Sequence, residues 1–270
     1  MLQTTTQRTL STLLYLVAGL TGLLAFAAPF LTPHLLNLVQ QTGATSPTPY
    51  RPDAPLVTSL LLLLSLAVLL VEVQGQAVSA KIVAALGVLV AVTAVLRFIE
   101  VAIPGPGGLS PIFAPIILAG FVFGARFGFL MGTMTLLVSA LITGGVGPWL
   151  PYQMFAAGWV GLTAGWLPKP RSPKVQITLL ASFGFLWGLL FGAILNLYFW
   201  PFLNDGSLQS WQPGLSLAAT LGRYASFYAA TSLLWDIGRG LGNAVLILAL
   251  GYPAIQVLVR FRDRFQFRRN

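Results

Sequence analysis

The run SAKIVAALGVLVAVTAVLRFI, residues 79–99, decides the fold, because Lys81 and Arg97 are the only charges in it and both sit close to its ends. A bilayer core about 30 Å thick takes about 20 mostly apolar helical residues, and this run has that length. It shows none of the apolar–polar alternation of an outer-membrane strand. Ala80, Ala84, Gly87, Ala91 and Ala94 recur at steps of four and three, which places them in a stripe on one helical face. Lipid tails give helices no hydrophobic drive to associate, so membrane helices meet through small residues. The stripe serves either packing inside the chain or docking on another membrane subunit, and spacing alone does not choose.

Working outward, similar apolar runs fall at 9–31, 54–74, 111–124, 127–144, 151–167, 175–200 and 223–250. With 79–99 they make eight expected spans and an all-α, polytopic membrane helix bundle. The gaps carry turn residues: Ser46–Pro49, Pro104–Gly108, Gly144–Pro148 and Pro168–Lys174. Between the fourth and fifth runs the break is only Gly124-Ala125-Arg126. The first run reads as a retained helix, since it closes on Pro29 and Pro33 rather than on a small-residue cleavage site.

Composition agrees. Of the 270 residues, 56% are hydrophobic and 8% charged, too few polar groups to cover a soluble globule. The absence of cysteine excludes disulfides, thiolate catalysis and Cys-ligated zinc, and a single histidine, His34, leaves little for a metal site or proton relay. No metal or cofactor is expected. The net charge of +9 would suit nucleic acid, but its distribution argues otherwise. With Arg8 inside, eight crossings put eleven of the fifteen Lys and Arg on the inner side, including Lys81, Arg126, Lys169, Arg171, Lys174 and the tail cations from Arg260 to Arg269. The outer side receives Arg51, Arg97 and Arg223, and Arg239 falls within the last run. This is the positive-inside pattern with both termini cytoplasmic. The basic tail reads as an anchor against anionic lipid headgroups, not as a nucleic-acid site.

In so apolar a chain each ionisable group at membrane depth is a candidate functional residue. Arg97 with Glu100, and Asp236 with Arg239, lie at i, i+3, so each pair can neutralise itself on one helical face. Asp236–Arg239 reads as a structural ion pair about mid-span or below, with Asn243 one turn further along the same face. Arg97–Glu100 lies beside the glycine- and proline-rich outer loop and is a candidate for contacting a ligand. A second polar group gathers at outer helix ends: Trp149, Tyr152 and Gln153, then Asn196, Tyr198 and Trp200, then Arg223, Tyr224 and Tyr228. Interfacial aromatics alone say little. Adding Gln153, Asn196 and Arg223 supplies the few polar groups that a mostly apolar ligand pocket needs.

Several chemistries are missing. No Gly-x-x-x-x-Gly-Lys-Ser/Thr run is present for nucleotide phosphates. A Ser–base protease has no base at depth, because His34 belongs to the outer loop 32–53, and Asp236 has no second carboxylate beside it to make an aspartyl dyad. Filter repeats, charge rings and an inverted repeat are not evident. A small-molecule binding or transport subunit without its own motor remains, and it is not expected to be an enzyme.

Four segments carry a resemblance: Arg97-Phe98-Ile99-Glu100, Pro104–Gly108, Gly147–Met154 and Trp235–Asn243. Over roughly 79–265 the chain resembles the S-component, the substrate-binding membrane subunit, of energy-coupling factor (ECF) vitamin transporters. The resemblance implies a six-helix core with both ends cytoplasmic in a prokaryotic cell membrane. It implies a vitamin site open to the outside, falling on the Gln153, Asn196 and Arg223 group. It implies partners, a transmembrane coupling subunit and cytosolic ATPases, and an Ala-x-x-x-Ala docking motif that Ala80 and Ala84 match, with Gly87 and Ala91 continuing the interface. Members have six helices, so residues 1–78 with their two extra spans form an N-terminal extension to a core at 79–270. The large outer aromatics suit a heteroaromatic or macrocyclic vitamin: a cobalamin-type ligand first, with thiamine or its pyrimidine precursor, folate, riboflavin and a queuosine precursor open. The competing readings are a scaffold protein that binds partner helices and an intramembrane enzyme using Asp236 and Arg239.

Overall fold

The computed structural model describes residues 80–103, 106–203 and 207–266, with helical positions 13, 17, 19–27 and 30 ahead of them. Among the described residues after Ser79 there are seven α-helices: α1 (Ala80–Ala102), α2 (Phe113–Phe123), α3 (Ala125–Thr143), α4 (Leu150–Ala164), α5 (Pro173–Phe199), α6 (Leu217–Thr231) and α7 (Leu233–Gln266). No strand occurs among the described residues. Four of these helices contain segments long and apolar enough to cross a membrane, namely Val83–Ala102, Ala125–Thr143, Pro173–Phe199 and Leu233–Arg264. The protein is a polytopic helical membrane bundle. The expected span 54–74 lies outside the described residues.

Helix α2 has 11 residues and therefore rises only about 16 Å, half of the hydrocarbon core. It survives because it is enclosed: Ile116, Ile117 and Ala119 are fully buried, with α3, α4 and α7 packed around it. Gly124, at φ 98°, is the single residue that reverses the chain into α3. A residue with a Cβ is strained there, which accounts for the turn in Gly124-Ala125-Arg126.

Two seams of close backbone contact hold the bundle. Along α3 and α4, a Cβ on Gly128 would lie 2.2 Å from the Gly161 carbonyl oxygen, and one on Gly161 would lie 2.0 Å from that of Gly128. Along α5 and α7, a Cβ on Gly188 would sit 2.4 Å from the Gly240 Cα. With no hydrophobic drive between helices in lipid, this proximity is what gives the seams their dispersion contacts. The α1 stripe behaves differently. Ala84, Gly87 and Ala91 are exposed, Ala94 is buried, and a Cβ on Gly87 would touch nothing within 4 Å. The buried positions of α1 are instead Ala85, Val90, Thr93 and Ala94, and α3 packs against this helix.

The run 223–250, read as one helix from sequence, is two. Ser232 (φ −126°, ψ −28°) separates α6 from α7, and α7 continues past 250 to Gln266. Neither Gly nor Pro marks the break. Thr231 donates its hydroxyl back to the Phe227 carbonyl at 2.8 Å, and the Ser232 hydroxyl is drawn sideways by Asn196 of α5 at 2.6 Å. Such hydroxyls compete with the helical ladder. Helix α6, capped by the Ser216 hydroxyl on the Ala219 amide at 3.2 Å, buries only Phe227 and lies at the edge of the bundle.

The cations gather at one end. Lys169 stands 5.8 Å over the Phe121 ring, and Arg262 donates to the Val122 carbonyl at 3.2 Å. This basic end holds the α2–α3 and α4–α5 turns and the end of α7. The opposite, loop end holds 106–112, 144–149, 200–203 and 207–216. The helical part of the first run, 19–27, packs on α4: Phe26 meets Tyr152 at 5.0 Å and Trp159 at 5.9 Å.

Gly188→Leu is expected to destabilise the bundle by roughly 3 kcal/mol, the upper end of ordinary overpacking, because backbone cannot yield. Gly222→Ala, on the open face of α6 where a Cβ meets nothing within 4 Å, should be neutral or stabilising by up to about 1 kcal/mol. Thermal unfolding of both variants in one detergent checks the contrast.

Candidate functional site

The loop end carries two joined polar groups. The first is built on the loop between α1 and α2. Arg97 pairs with Glu100 one turn on, and the second oxygen of Glu100 accepts from the Ser110 hydroxyl at 2.8 Å. The loop then presses onto α7. A Cβ on Gly238 would fall 1.4 Å from the Gly107 carbonyl oxygen, and one on Gly108, at φ 77°, would lie 2.6 Å from that of Trp235. Pro104-Gly105-Pro106-Gly107-Gly108 therefore includes the segment that lets α1's loop lie against the first turns of α7.

The second pair stands at that point. Asp236 occupies the first turn of α7, not the middle of a span. The correction follows from the break at Ser232, which moves the helix start ten residues along the expected span. A carboxylate in the first turn also meets the positive end of the helix dipole. Asp236 is 2% exposed and pairs with Arg239. A Cβ on Gly192 would lie 1.8 Å from Asp236 Oδ2, so the carboxylate fits only because α5 has a glycine there. Arg239 also donates to the Gly188 carbonyl at 3.4 Å and lies 5.5 Å over the Phe191 ring. Glu100 is within electrostatic reach of Arg239. The two pairs thus form one neutral quartet of α1 and α7 side chains, the second pair packed against the α5 glycines. The Tyr228 hydroxyl faces Asp236 but donates to the Leu189 carbonyl at 3.2 Å, and Asp236 Oδ2 has no hydrogen-bond partner. Asn243 does not extend the quartet along α7. Its amide donates across to the Gly184 carbonyl of α5 at 3.2 Å.

Beside the quartet, α5, α6 and the loop after α5 line an open cavity of about 390 Å³, with Asn196, Phe199, Leu203, Ser207, Gln209, Ser210, Phe227 and Thr231 around it. Several expected site residues build its frame. Trp200, 1% exposed, donates its indole N–H to the Gln209 carbonyl at 2.8 Å and packs on Tyr224 with ring centroids 4.9 Å apart. Arg223 donates to the Ser210 carbonyl at 2.9 Å. Tyr224 donates its hydroxyl to the Ala193 carbonyl. Asn196 lines the space directly, while Trp200, Arg223 and Tyr224 pin its walls. Sequence reasoning missed Phe199, Leu203, Ser207, Gln209, Ser210, Phe227 and Thr231. Their signal was weak: a polar loop and the inner face of a helix whose register was hidden by the unmarked break at Ser232.

The remaining expected residues stand elsewhere. Tyr152 packs on Tyr198, 4.4 Å between ring centroids, and on Phe26, facing the N-terminal helix. Gln153 is half-buried and is not part of the cavity lining. Trp149 is 45% exposed, its indole N–H donating to the Gly145 carbonyl at 3.2 Å to close the α3–α4 turn.

A cavity with apolar and aromatic walls and a few polar groups at one end of a helical bundle has the make-up of a small-molecule site. The family model for the ECF transporter substrate-specific component matches residues 81–251. The chain belongs to this family. No curated protein and no solved structure matches it. Membership makes the chain a substrate-binding membrane subunit of an ECF transporter. A subunit of this kind takes a small-molecule substrate and works with coupling and ATPase subunits.

Arg239→Met alone should lower stability by about 3–5 kcal/mol, since it strands Asp236 as a buried charge. Asp236→Asn combined with Arg239→Met should recover most of that loss. A double-mutant cycle by thermal unfolding measures it, and additivity of the two changes would show that the pair is not coupled.

Proposed function

We propose that this ECF substrate-specific component captures a vitamin or related micronutrient from outside a prokaryotic cell in the loop-end cavity and hands it inward with a coupling subunit and ATPases. The single observation carrying this is the cavity of about 390 Å³ that places Asn196, Ser207, Gln209, Ser210 and Thr231 among Phe199 and Phe227. Apolar and aromatic walls with a few placed amides and hydroxyls are the make-up of small-molecule sites, and the volume falls in their usual range of about 300–1,000 Å³. It favours a mono- or bicyclic heteroaromatic vitamin over the far bulkier corrin ring, for which the loop 200–216 would have to swing away. Among the expected site residues, Asn196 contacts the ligand and Trp200, Arg223 and Tyr224 hold the walls. Arg97 and Glu100 order the loop that lies over α7. Trp149, Tyr152 and Gln153 lie on α4 and its entry turn, outside the pocket lining.

The cations at the basic end support a cytoplasmic placement of that end by the positive-inside rule. The exposed Ala84, Gly87 and Ala91, with Ala80 at the start of the same stripe, supply a close-packing face for the coupling subunit. The core at 79–270 carries both surfaces, and the extension at 1–78 leans on it through Phe26.

Protein purified from cells grown in vitamin-rich medium is expected to carry one small molecule identifiable by mass spectrometry. Asn196→Ala and Thr231→Val should each weaken its binding about tenfold, the worth of one hydrogen bond to a buried ligand. Unchanged affinity in both variants moves the site elsewhere. Gly87→Trp with Ala91→Trp should abolish co-purification with the coupling subunit while leaving the ligand bound.

A further inference from the structure

The helical positions ahead of the core carry two different faces. Gly19, Gly22, Phe26 and Phe30 follow one another at steps of three, four and four, so they share one side. Gly22, Ala25 and Phe26 on that side are buried. Leu13, Val17, Leu20, Leu23 and Leu24, on the other, are exposed, as a lipid-facing surface would be. The inner face meets an aromatic ridge on α4, where Tyr152, Phe155 and Trp159 stand at steps of three and four. A Cβ on Gly22 would lie 3.0 Å from Phe155 Cδ1 and 3.0 Å from Trp159 Cζ2, so the glycine lets the segment come down onto the rings. Phe26 follows on Tyr152 and Trp159.

Phe30 stands one turn further along and meets a different element. Its ring centroid is 6.0 Å from that of Trp200 and 5.4 Å from that of Trp211, the second pair edge-on at 87°. These are separations and angles at which aromatic rings attract. Trp200 also packs on Tyr224 and Phe227 of α6, so it is gripped between the N-terminal segment and α6. Three successive loop residues are then held from three directions. Trp200, just past α5, takes the Gln209 carbonyl at 2.8 Å. Arg223 of α6 takes the Ser210 carbonyl at 2.9 Å. Phe30 takes the Trp211 ring. Gln209, Ser210 and Phe227 line the cavity, which puts Phe30 one residue behind its wall.

We propose that the N-terminal helical segment is a working wall of the substrate site: Phe30, set on Trp200 and Trp211, pins the 207–216 loop against the cavity and sets how fast the small molecule leaves. The inference rests on the reading of the loop-end cavity as the substrate site. It gives a task in binding to the extension that six-helix members of the family lack. A segment serving only to anchor the chain in the membrane would need the α4 ridge, and would have no use for a ring placed between two tryptophans of the far loop.

The chain has no cysteine, so Ser210→Cys, at a position 3% exposed, supplies a single thiol. Its rate of labelling by a maleimide, in the ligand-free full chain, reads opening of the loop. Adding Phe30→Ala should speed labelling about tenfold, the upper worth of one aromatic pair. Trp211→Ala, which removes the loop side of the same contact, should do likewise and serves if Phe30→Ala does not fold. Phe30→Tyr, which keeps the ring, and Leu23→Ala, on the lipid-facing side, should leave the rate unchanged. Labelling unaltered by both Phe30→Ala and Trp211→Ala overturns the proposal, whatever the cavity binds. In chains that keep Ser210, release of the co-purified small molecule is followed by its mass, with faster release expected for Phe30→Ala and not for Leu23→Ala. Unchanged release in Phe30→Ala, beside weakened binding in Asn196→Ala, overturns the inference and leaves the cavity reading standing. Unchanged binding in both Asn196→Ala and Thr231→Val removes the cavity reading instead, and the claim on release with it.

Discussion

The contact on which the rest depends is the backbone seam between α5 and α7. Gly184, Gly188 and Gly192 stand at successive i, i+4 positions on α5 and let α7 approach within contact of bare backbone. That closeness has a chemical consequence, because it places Asp236 against Gly192 and lets Arg239 reach the Gly188 carbonyl. Charges buried in a membrane protein persist only if paired. Here each has its partner one turn away on its own helix, and the seam buries Asp236 while leaving Arg239 partly exposed. A side chain at Gly192 would not merely loosen packing; it would occupy the position of a carboxylate oxygen.

From that seam the loop end is assembled. The Asp236–Arg239 pair fixes the first turns of α7, and against those turns lie Gly107 and Gly108, so the loop from α1 is seated by the same geometry. Glu100 completes the link through Ser110 on one side and the field of Arg239 on the other. With the charges consumed among themselves, the cavity beside them is left to amides, hydroxyls and phenyl rings. The division is between a rigid ionic frame that positions elements and a neutral pocket that meets the ligand. Helix α6 gives the pocket Phe227 and Thr231. It is tied by Tyr224 and Tyr228 to carbonyls of α5 and buries only Phe227, which makes it the element of the site with the least packing to lose on moving.

Much of this was legible in the residues. The span 79–99, the clustering of cations at one end and the i, i+3 pairs all follow from length, charge and helical period, and the structure returns them as α1, the basic end and two ion pairs. The four segments that carry the family resemblance lie within residues 79–265, and the family model covers 81–251. What escaped was of two kinds. Helix breaks without Gly or Pro are silent: Thr231 and Ser232 end α6 by hydroxyl competition, and reading through them put Asp236 too deep and hid the pocket wall. Glycines paired across helices are equally silent. The α1 stripe caught the eye through its alanines, yet the internal seams are Gly128 with Gly161 and Gly188 with Gly240, and nothing in one helix's sequence names its partner.

The claim that most needs testing is that the neutral cavity between α5 and α6 is where the small molecule sits. Hydrogen–deuterium exchange of the purified full chain, with and without a saturating mixture of vitamins, reads this directly. Ligand-dependent protection should concentrate in 196–232 and in the loop 103–112, leaving the α3–α4 turn at 144–149 and the basic end unchanged. Protection confined to α4 and the 144–149 turn, or no protection anywhere while a vitamin is demonstrably bound, would contradict it.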